Sequence, residues 1–291
     1  MPTLKDYNAK LARLRSTRKM TRTMKMVAAN RLRKTQEAQR NAQAFGRPVA
    51  RMLASLSAGD EVLPHPLARP ARPGGTALLL VIRSDRGLCG GFNSSLTRHA
   101  SQWLAENSGR FKSVKLAFCG RRGWLYFKNR IDAFQNYEHV MGRPAFAAAR
   151  RIGGELQRLF SEGEFDEVFV AYNTTRSAMQ REPVVEPFLP AEPTWRSPAE
   201  TGVRDDRAPL FEPSRAEAWE SLLPQYVNFR LFAAMLDSAV GEHAARMITM
   251  ENATQNADKL IERYTVLRNQ ARQAAITGEL IEIISGAEAL R

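Results

Sequence analysis

Residues 229–275 read FRLFAAMLDSAVGEHAARMITMENATQNADKLIERYTVLRNQARQAA. Within them Phe229, Ala233, Leu236, Val240, His243, Met247, Met250, Thr254, Ala257, Ile261, Tyr264, Arg268, Ala271 and Ala275 stand four and three residues apart in alternation, without a slip. Eleven of these fourteen positions are apolar. A repeat of about 3.5 residues sustained this long predicts a helix that supercoils left-handedly around a partner helix. His243 falls on the seam, where a polar side chain sets register. No proline follows Pro224 in the sixty-seven residues to Arg291, so nothing breaks the helix.

The partner has to be another long helix, and the N-terminus supplies one. From Thr3 to Phe45 there is no Gly or Pro, and Pro2 stands where a helix starts well. Leu4, Tyr7, Leu11 and Leu14 follow the seam spacing, which weakens at Arg18, Thr21 and Lys25 and recovers at Ala28 and Leu32. Met20, Met24 and Val27 form an offset apolar strip. The helix continues past Gly46 and Pro48, with a kink expected there, to about Leu56. At 1.5 Å per residue it is roughly 80 Å long and the C-terminal helix roughly 115 Å, so an antiparallel pairing leaves an overrun of roughly 35 Å. The overrun is ITGELIEIISGAEAL (276–290), in which Ile276, Leu280, Ile283 and Ile284 share one face. A projecting helix with a bare apolar stripe makes sense if another protein surrounds it.

Between the two helices the pattern changes. TALLLVIR (76–83) is a continuous apolar run, the mark of a strand buried on both faces. It is followed by the Gly-rich turn SDRGLCGG and a helix from about Asn93 to Glu106. VKLAFCG (114–120) and EVFVAYN (167–173) read as further strands and PVVEPFLP as a weaker fourth; RRGWLYFKN and residues 144–160 read as helices. This alternation predicts a small α/β domain with a largely parallel sheet. The expected organisation is a coiled-coil helix over 1–57, a linker over 58–75, the α/β domain over 76–190, a Pro-rich linker over 191–214 and the second coiled-coil helix over 215–291.

The net charge of +13 is concentrated at one end: residues 1–51 hold fourteen Lys/Arg and two acids, Asp6 and Glu37. That helix should seek an acidic partner, whether nucleic acid, anionic lipid or the acidic loops of a protein. A nucleic-acid-binding coiled coil is the competing reading, but its zipper would directly follow the basic helix. No segment is apolar enough to span a membrane, and no leader is evident. Two cysteines in separate segments, Cys89 and Cys119, fit a reduced compartment.

Four stretches carry more than periodicity: KMTRTMKMVAANRLRKTQ (19–36), SDRGLCGGFN (84–93), EHAARMITMENATQNA (242–257) and RNQARQAAITGELIEIISGAEAL (268–290). On these the chain resembles the gamma (central rotor) subunit of F-type ATP synthases. The resemblance implies an antiparallel coiled coil of the terminal helices with a Rossmann-like α/β domain at its foot. It implies a single copy inside a ring of alpha and beta subunits, a foot bound to the epsilon subunit and the c-subunit ring, and no nucleic acid. The complex would couple proton-driven rotation to ATP synthesis or hydrolysis, this chain holding no catalytic residue, metal or cofactor. It would lie peripherally on the cytoplasmic side of a bacterial inner membrane. By the same resemblance Met24, Lys25, Arg272, Gln273, Thr277 and Glu279 match positions facing the beta-subunit catch and acidic loops. Ile276, Leu280, Ile283 and Ile284 would sit in the collar, and Asp85, Arg86, Gly87, Gly90 and Gly91 form the foot-domain turn.

Several local features have plainer readings. DRGLCGG follows a strand and precedes a helix, but it has neither the P-loop lysine nor the dinucleotide glycine spacing, so it reads as a packed turn that contacts a partner. Cys89 has no nearby His base and reads as inert packing. The four histidines lack ligand spacing. Arg121 and Arg122 beside Trp124, Tyr126 and Phe127 mix charge and aromatics as nucleic-acid surfaces do, but a subunit-contact surface fits equally.

Overall fold

The computed structural model describes residues 3–57, 64–72, 74–128, 133–175, 181–192, 212 and 214–288. In chain order these form α1 (Leu4–Ser57), a single 3-10 turn (Pro66–Ala68), β1 (Gly74–Ile82), α2 (Phe92–Glu106), β2 (Phe111–Cys119), α3 (Arg121–Phe127), β3 (Ala133–Tyr137), α4 (Phe146–Ser161), β4 (Glu167–Thr175), β5 (Arg181–Leu189) and α5 (Arg215–Glu288). The Pro-rich stretch expected as a linker falls mostly outside the described residues. None of the described helices is long and apolar enough to cross a membrane. The chain forms two compact units, one of Asn30–Ala245 and one of Met1–Ala29 with Arg246–Arg291.

The larger unit is organised by β1. Residues 77–82 are completely buried, because the strand is central in a five-stranded sheet of order β3-β2-β1-β4-β5. Its side chains alternate between two apolar layers. Leu78, Leu80 and Ile82 face α4 and the segments of α1 and α5 within this unit, meeting Leu53, Leu56, Leu156, Tyr226 and Leu231. Ala77, Leu79 and Val81 face the α2 side, with Leu96, Ala100 and Phe127. Each large apolar side chain buried here contributes about 1.5–3 kcal/mol. β1, β2, β3 and β4 are parallel, and β5 runs antiparallel to β4. The strand β3 was not expected: AFQNY is short and only its last residue is buried, so it carries no continuous apolar run.

Neither helix breaks at its internal proline. Pro48 and Ala44, whose carbonyl loses its partner, are both on the exposed side of α1, where water can replace the missing hydrogen bond, so the helix continues to Ser57. In α5 the loss at Pro224 frees the Glu220 carbonyl four residues earlier. His65 approaches that backbone group, while its Nδ1 accepts the Leu67 N–H at 3.0 Å. The last turn of α1 is closed by Arg215, whose Nε donates to the Leu56 carbonyl at 2.9 Å.

Close backbone approach fixes the carboxyl edge of the sheet. Gly120 has φ +100°, and a Cβ there would stand 2.0 Å from the Arg83 carbonyl oxygen.

The smaller unit is a helix pair. Leu11, Thr21 and Ala28 of α1 and Met250 and Ala257 of α5 are buried, and all lie on the seam positions read from the sequence.

Two outcomes follow from these packing facts. Gly120→Ala should lower stability by about 2–3 kcal/mol or more through backbone strain and the clash at Arg83. Gly154→Ala, in mid-α4 with open space around the new methyl, should raise it by about 0.5–1 kcal/mol; urea unfolding measures both. Burial lowers the His65 pKa from 6.5 against the opposing pull of Glu220. The unfolded chain therefore binds more protons just below pH 6.5, and stability falls on acidification through that window. His65→Asn should flatten this slope in thermal melts recorded across pH.

Candidate partner-contact surfaces

The helix pair is held in register by polar and aromatic rungs. Tyr7 meets Tyr264 with ring centroids 6.3 Å apart, and Lys10 Nζ lies 4.5 Å from the Tyr264 ring centre. Arg18 Nη1 is 3.0 Å from Asp258 Oδ1, the Thr254 hydroxyl donates to Thr21 Oγ1 at 2.8 Å, and Lys25 is ion-paired with Glu251. Each step up α1 is matched by a step down α5, so the pair is antiparallel. The charged side chains in these rungs are substantially exposed, so each ion pair is worth only about 0–1 kcal/mol. They select register, while the buried apolar seam residues supply the stability.

This changes the reading of Arg18, Thr21 and Lys25. On the sequence they weaken the seam; in the structure they are its rungs. Lys25 is expected on an acidic partner loop, yet its ammonium already engages Glu251 and holds that carboxyl below its usual pKa. Met24 beside it is half-buried. Met20 and Val27 are exposed by 61% and 49%, so most of the offset strip is surface.

Beyond the rungs, α5 carries a bare apolar face. Thr3 comes abreast of roughly residue 270 if the helical stagger continues. Arg272, Gln273, Ile276, Thr277, Glu279, Leu280, Ile283 and Ile284 are all exposed. Ile281, which the stripe on the sequence omits, is 58% exposed as well. At about 100° per residue the stripe from Ile283 to Ile281 spans roughly 160° of the helix. Gln273 and Thr277 fall inside it, and Arg272 and Glu279 along one border. The Thr277 hydroxyl donates to the Gln273 carbonyl at 2.9 Å.

The turn after β1 is built around Asp85. Its carboxylate accepts the backbone N–H groups of Arg121 (3.2 Å), His139 (3.2 Å), Met141 (3.1 Å) and Gly142 (3.0 Å). Asp85 therefore staples three loops together and is spent inward. Arg86, Gly90 and Gly91 are exposed, and Gly87 is half-buried. Leu88 is 62% exposed at φ +63°; its signal in the sequence is a large apolar residue between glycines in a loop. Cys89 is buried, with Sγ 3.2 Å from Asn93 Nδ2. Phe127 is a core residue and Trp124 is half-buried, so the aromatic cluster near Arg121 and Arg122 is mostly packing. Among the described residues no three His, Cys, Asp or Glu side chains converge as a metal site.

Comparison with known proteins adds a second line. A family model described as ATP synthase matches residues 3–290. The ATP synthase gamma chain of Anaeromyxobacter sp. (strain Fw109-5) is 40% identical over 295 residues, covering 100% of both chains. That of Geotalea uraniireducens (strain Rf4) is 36% identical over 293 residues, again covering 100% of both. A chain of the Euglena gracilis mitochondrial ATP synthase matches with a TM-score of 0.64 at 18% identity, over 99% of this chain and 94% of that one. A chain of the central stalk and c-ring structure from Tetrahymena thermophila matches with a TM-score of 0.58 at 22% identity, over 80% and 99%. At such identities the structural matches speak for the fold, while the full-length relatives speak for descent: the chain belongs to the family of ATP synthase gamma chains.

Proposed function

We propose that this chain is the central shaft of an F-type ATP synthase, coupling proton-driven rotation of a c-subunit ring to ATP synthesis or hydrolysis in the alpha/beta head. The observation that carries the reading is the apolar end of α5. Ile276, Leu280, Ile281, Ile283 and Ile284 are 50–67% exposed on one long helix. An unpartnered stripe of this kind is a liability in a free protein and an asset inside a protein sleeve.

The work of a shaft is differential contact. An effector shifts a site between states only by its unequal affinity for them, so a rotating element must present unlike faces. The smaller unit does so. Residues 1–29 hold eight Lys/Arg and one acid, whereas residues 246–291 hold six of each sign. One helix is strongly basic, and the other is neutral with an apolar end. As the shaft turns, a beta subunit would meet first one face and then the other, and its site would be driven between open and closed states.

In this reading the beta-subunit loops meet Arg272, Gln273, Thr277 and Glu279 on α5, and Met24 and Lys25 on α1. The Ile276–Ile284 stripe turns in an apolar collar. Exposed Arg86, Leu88, Gly90 and Gly91 belong to the foot, which meets the epsilon subunit and the c ring. The chain's own part is mechanical, the ATP chemistry lying in the head. One copy serves each complex, which holds it at the cytoplasmic face of the bacterial inner membrane.

Reconstitution tests this. Alpha and beta subunits from the same source, mixed with this chain, should yield a complex that contains one copy and hydrolyses ATP. Removing residues 269–291 should lower torque or turnover. Failure to assemble with those subunits would sink the proposal. The basic face has its own test. Replacing exposed Arg15, Lys19 and Arg22 with Gln should slow assembly roughly tenfold at low salt, and the difference should collapse near 1 M salt.

A further inference from the structure

The sheet order β3-β2-β1-β4-β5 makes the chain leave β1 in one direction, through α2 to β2, and return on the other side, through α4 to β4. The loop after β1 thus lies at the carboxyl edge where the crossovers diverge, the place where open α/β sheets form ligand crevices. A cleft of about 610 Å³ opens there, lined by Arg83, Arg98, Arg122, Asn93, Ser94 and Tyr126 among others. Among the described residues no carboxylate lines it.

Arg83 is the unexplained group. It is 5% exposed, and its Nε and Nη1 are buried without a hydrogen-bond partner. Its guanidinium sits 5.8 Å from the Tyr126 ring centre, a contact that leaves Nε and Nη1 unbonded. Burial lowers its pKa to about 10, so it stays charged at neutral pH. A buried unpaired cation is costly, and native proteins pair such groups. Asp85, two residues on in the chain, is committed to four backbone amides. Two further guanidiniums face the same space. Arg122 lies against the glycine turn, with Nη2 2.7 Å from where a Gly87 Cβ would stand, and Arg98 projects from α2. The first turn of α2 opens at Gly91 with no side-chain cap; the Phe92 N–H goes to the Cys89 carbonyl at 3.3 Å, and no side chain offsets the positive end of the helix.

We propose that this cleft binds a phosphate group, either free or carried by a nucleotide. Three guanidiniums and a helix N-terminus suit a multiply charged oxyanion, and the guanidinium fork matches phosphate oxygens two at a time. The site is not a P-loop: arginines outside the turn take the place of its lysine. The proposal does not depend on the shaft reading.

The test titrates the purified full-length chain with inorganic phosphate and, separately, with ADP, at constant ionic strength, by calorimetry and ³¹P NMR. Saturable binding with one site per chain is expected. Arg98→Gln and Arg122→Gln, both at exposed positions, should each weaken it roughly tenfold. Arg15→Gln on the basic helix should leave it unchanged. ADP binding at least about tenfold tighter than phosphate identifies a nucleotide site, and equal affinities identify a free phosphate site. Absence of saturation up to about 50 mM of either ligand overturns the proposal. So does binding that both cleft variants retain in full, which would place the anion on the basic helix.

Discussion

A long helix with an apolar stripe has to have that stripe covered, and most of this structure follows from how the covering is done. Isolated helices are marginal in water, and tertiary contact supplies most of their stability. In the smaller unit α1 and α5 cover each other with modest side chains. Leu11, Thr21 and Ala28 are buried on one helix, and Met250 and Ala257 on the other. Short side chains of this kind let helices approach closely but specify register poorly. The rungs Arg18–Asp258, Thr21–Thr254 and Lys25–Glu251 supply that specification. Where α1 runs out, α5 continues uncovered, and the remaining apolar stripe becomes a surface for another molecule.

The larger unit solves the same problem with a sheet. Its helical segments need an apolar floor, and β1, buried on both faces, provides one. Edge devices then close the layers: the antiparallel strand β5, the His65 contact at the carbonyl freed by Pro224, and the Asp85 staple across three loops. All three are polar or proline-linked solutions to unmet backbone hydrogen bonds, and such groups have to be satisfied wherever they are buried.

What was legible in the sequence follows from which interactions are periodic. The C-terminal seam repeats without a slip, and β1 is an unbroken apolar run, so both were readable, as was the overall mix of a parallel-dominated sheet and two long helices. β3 was not readable because an edge strand of five residues with one buried side chain has no pattern to show. The rungs were misjudged for a related reason. Arg18, Thr21 and Lys25 look like interruptions until their partners, 230 or so residues away, are placed opposite them. The bare stripe is visible in the spacing, but Ile281 lies off the narrow face that a strict spacing defines. Arg83 carried no signal at all: only burial without a partner sets it apart from the chain's other arginines.

The central claim is that this chain turns. Its two cysteines are buried, and Gly109 lies on an exposed turn with open space at the Cβ position, so Gly109→Cys offers a selective attachment point for a probe. With alpha/beta heads fixed to a surface and ATP supplied, the account predicts that a probe on this residue rotates persistently in one direction. A head that contains the chain and hydrolyses ATP while the probe stays still would contradict it.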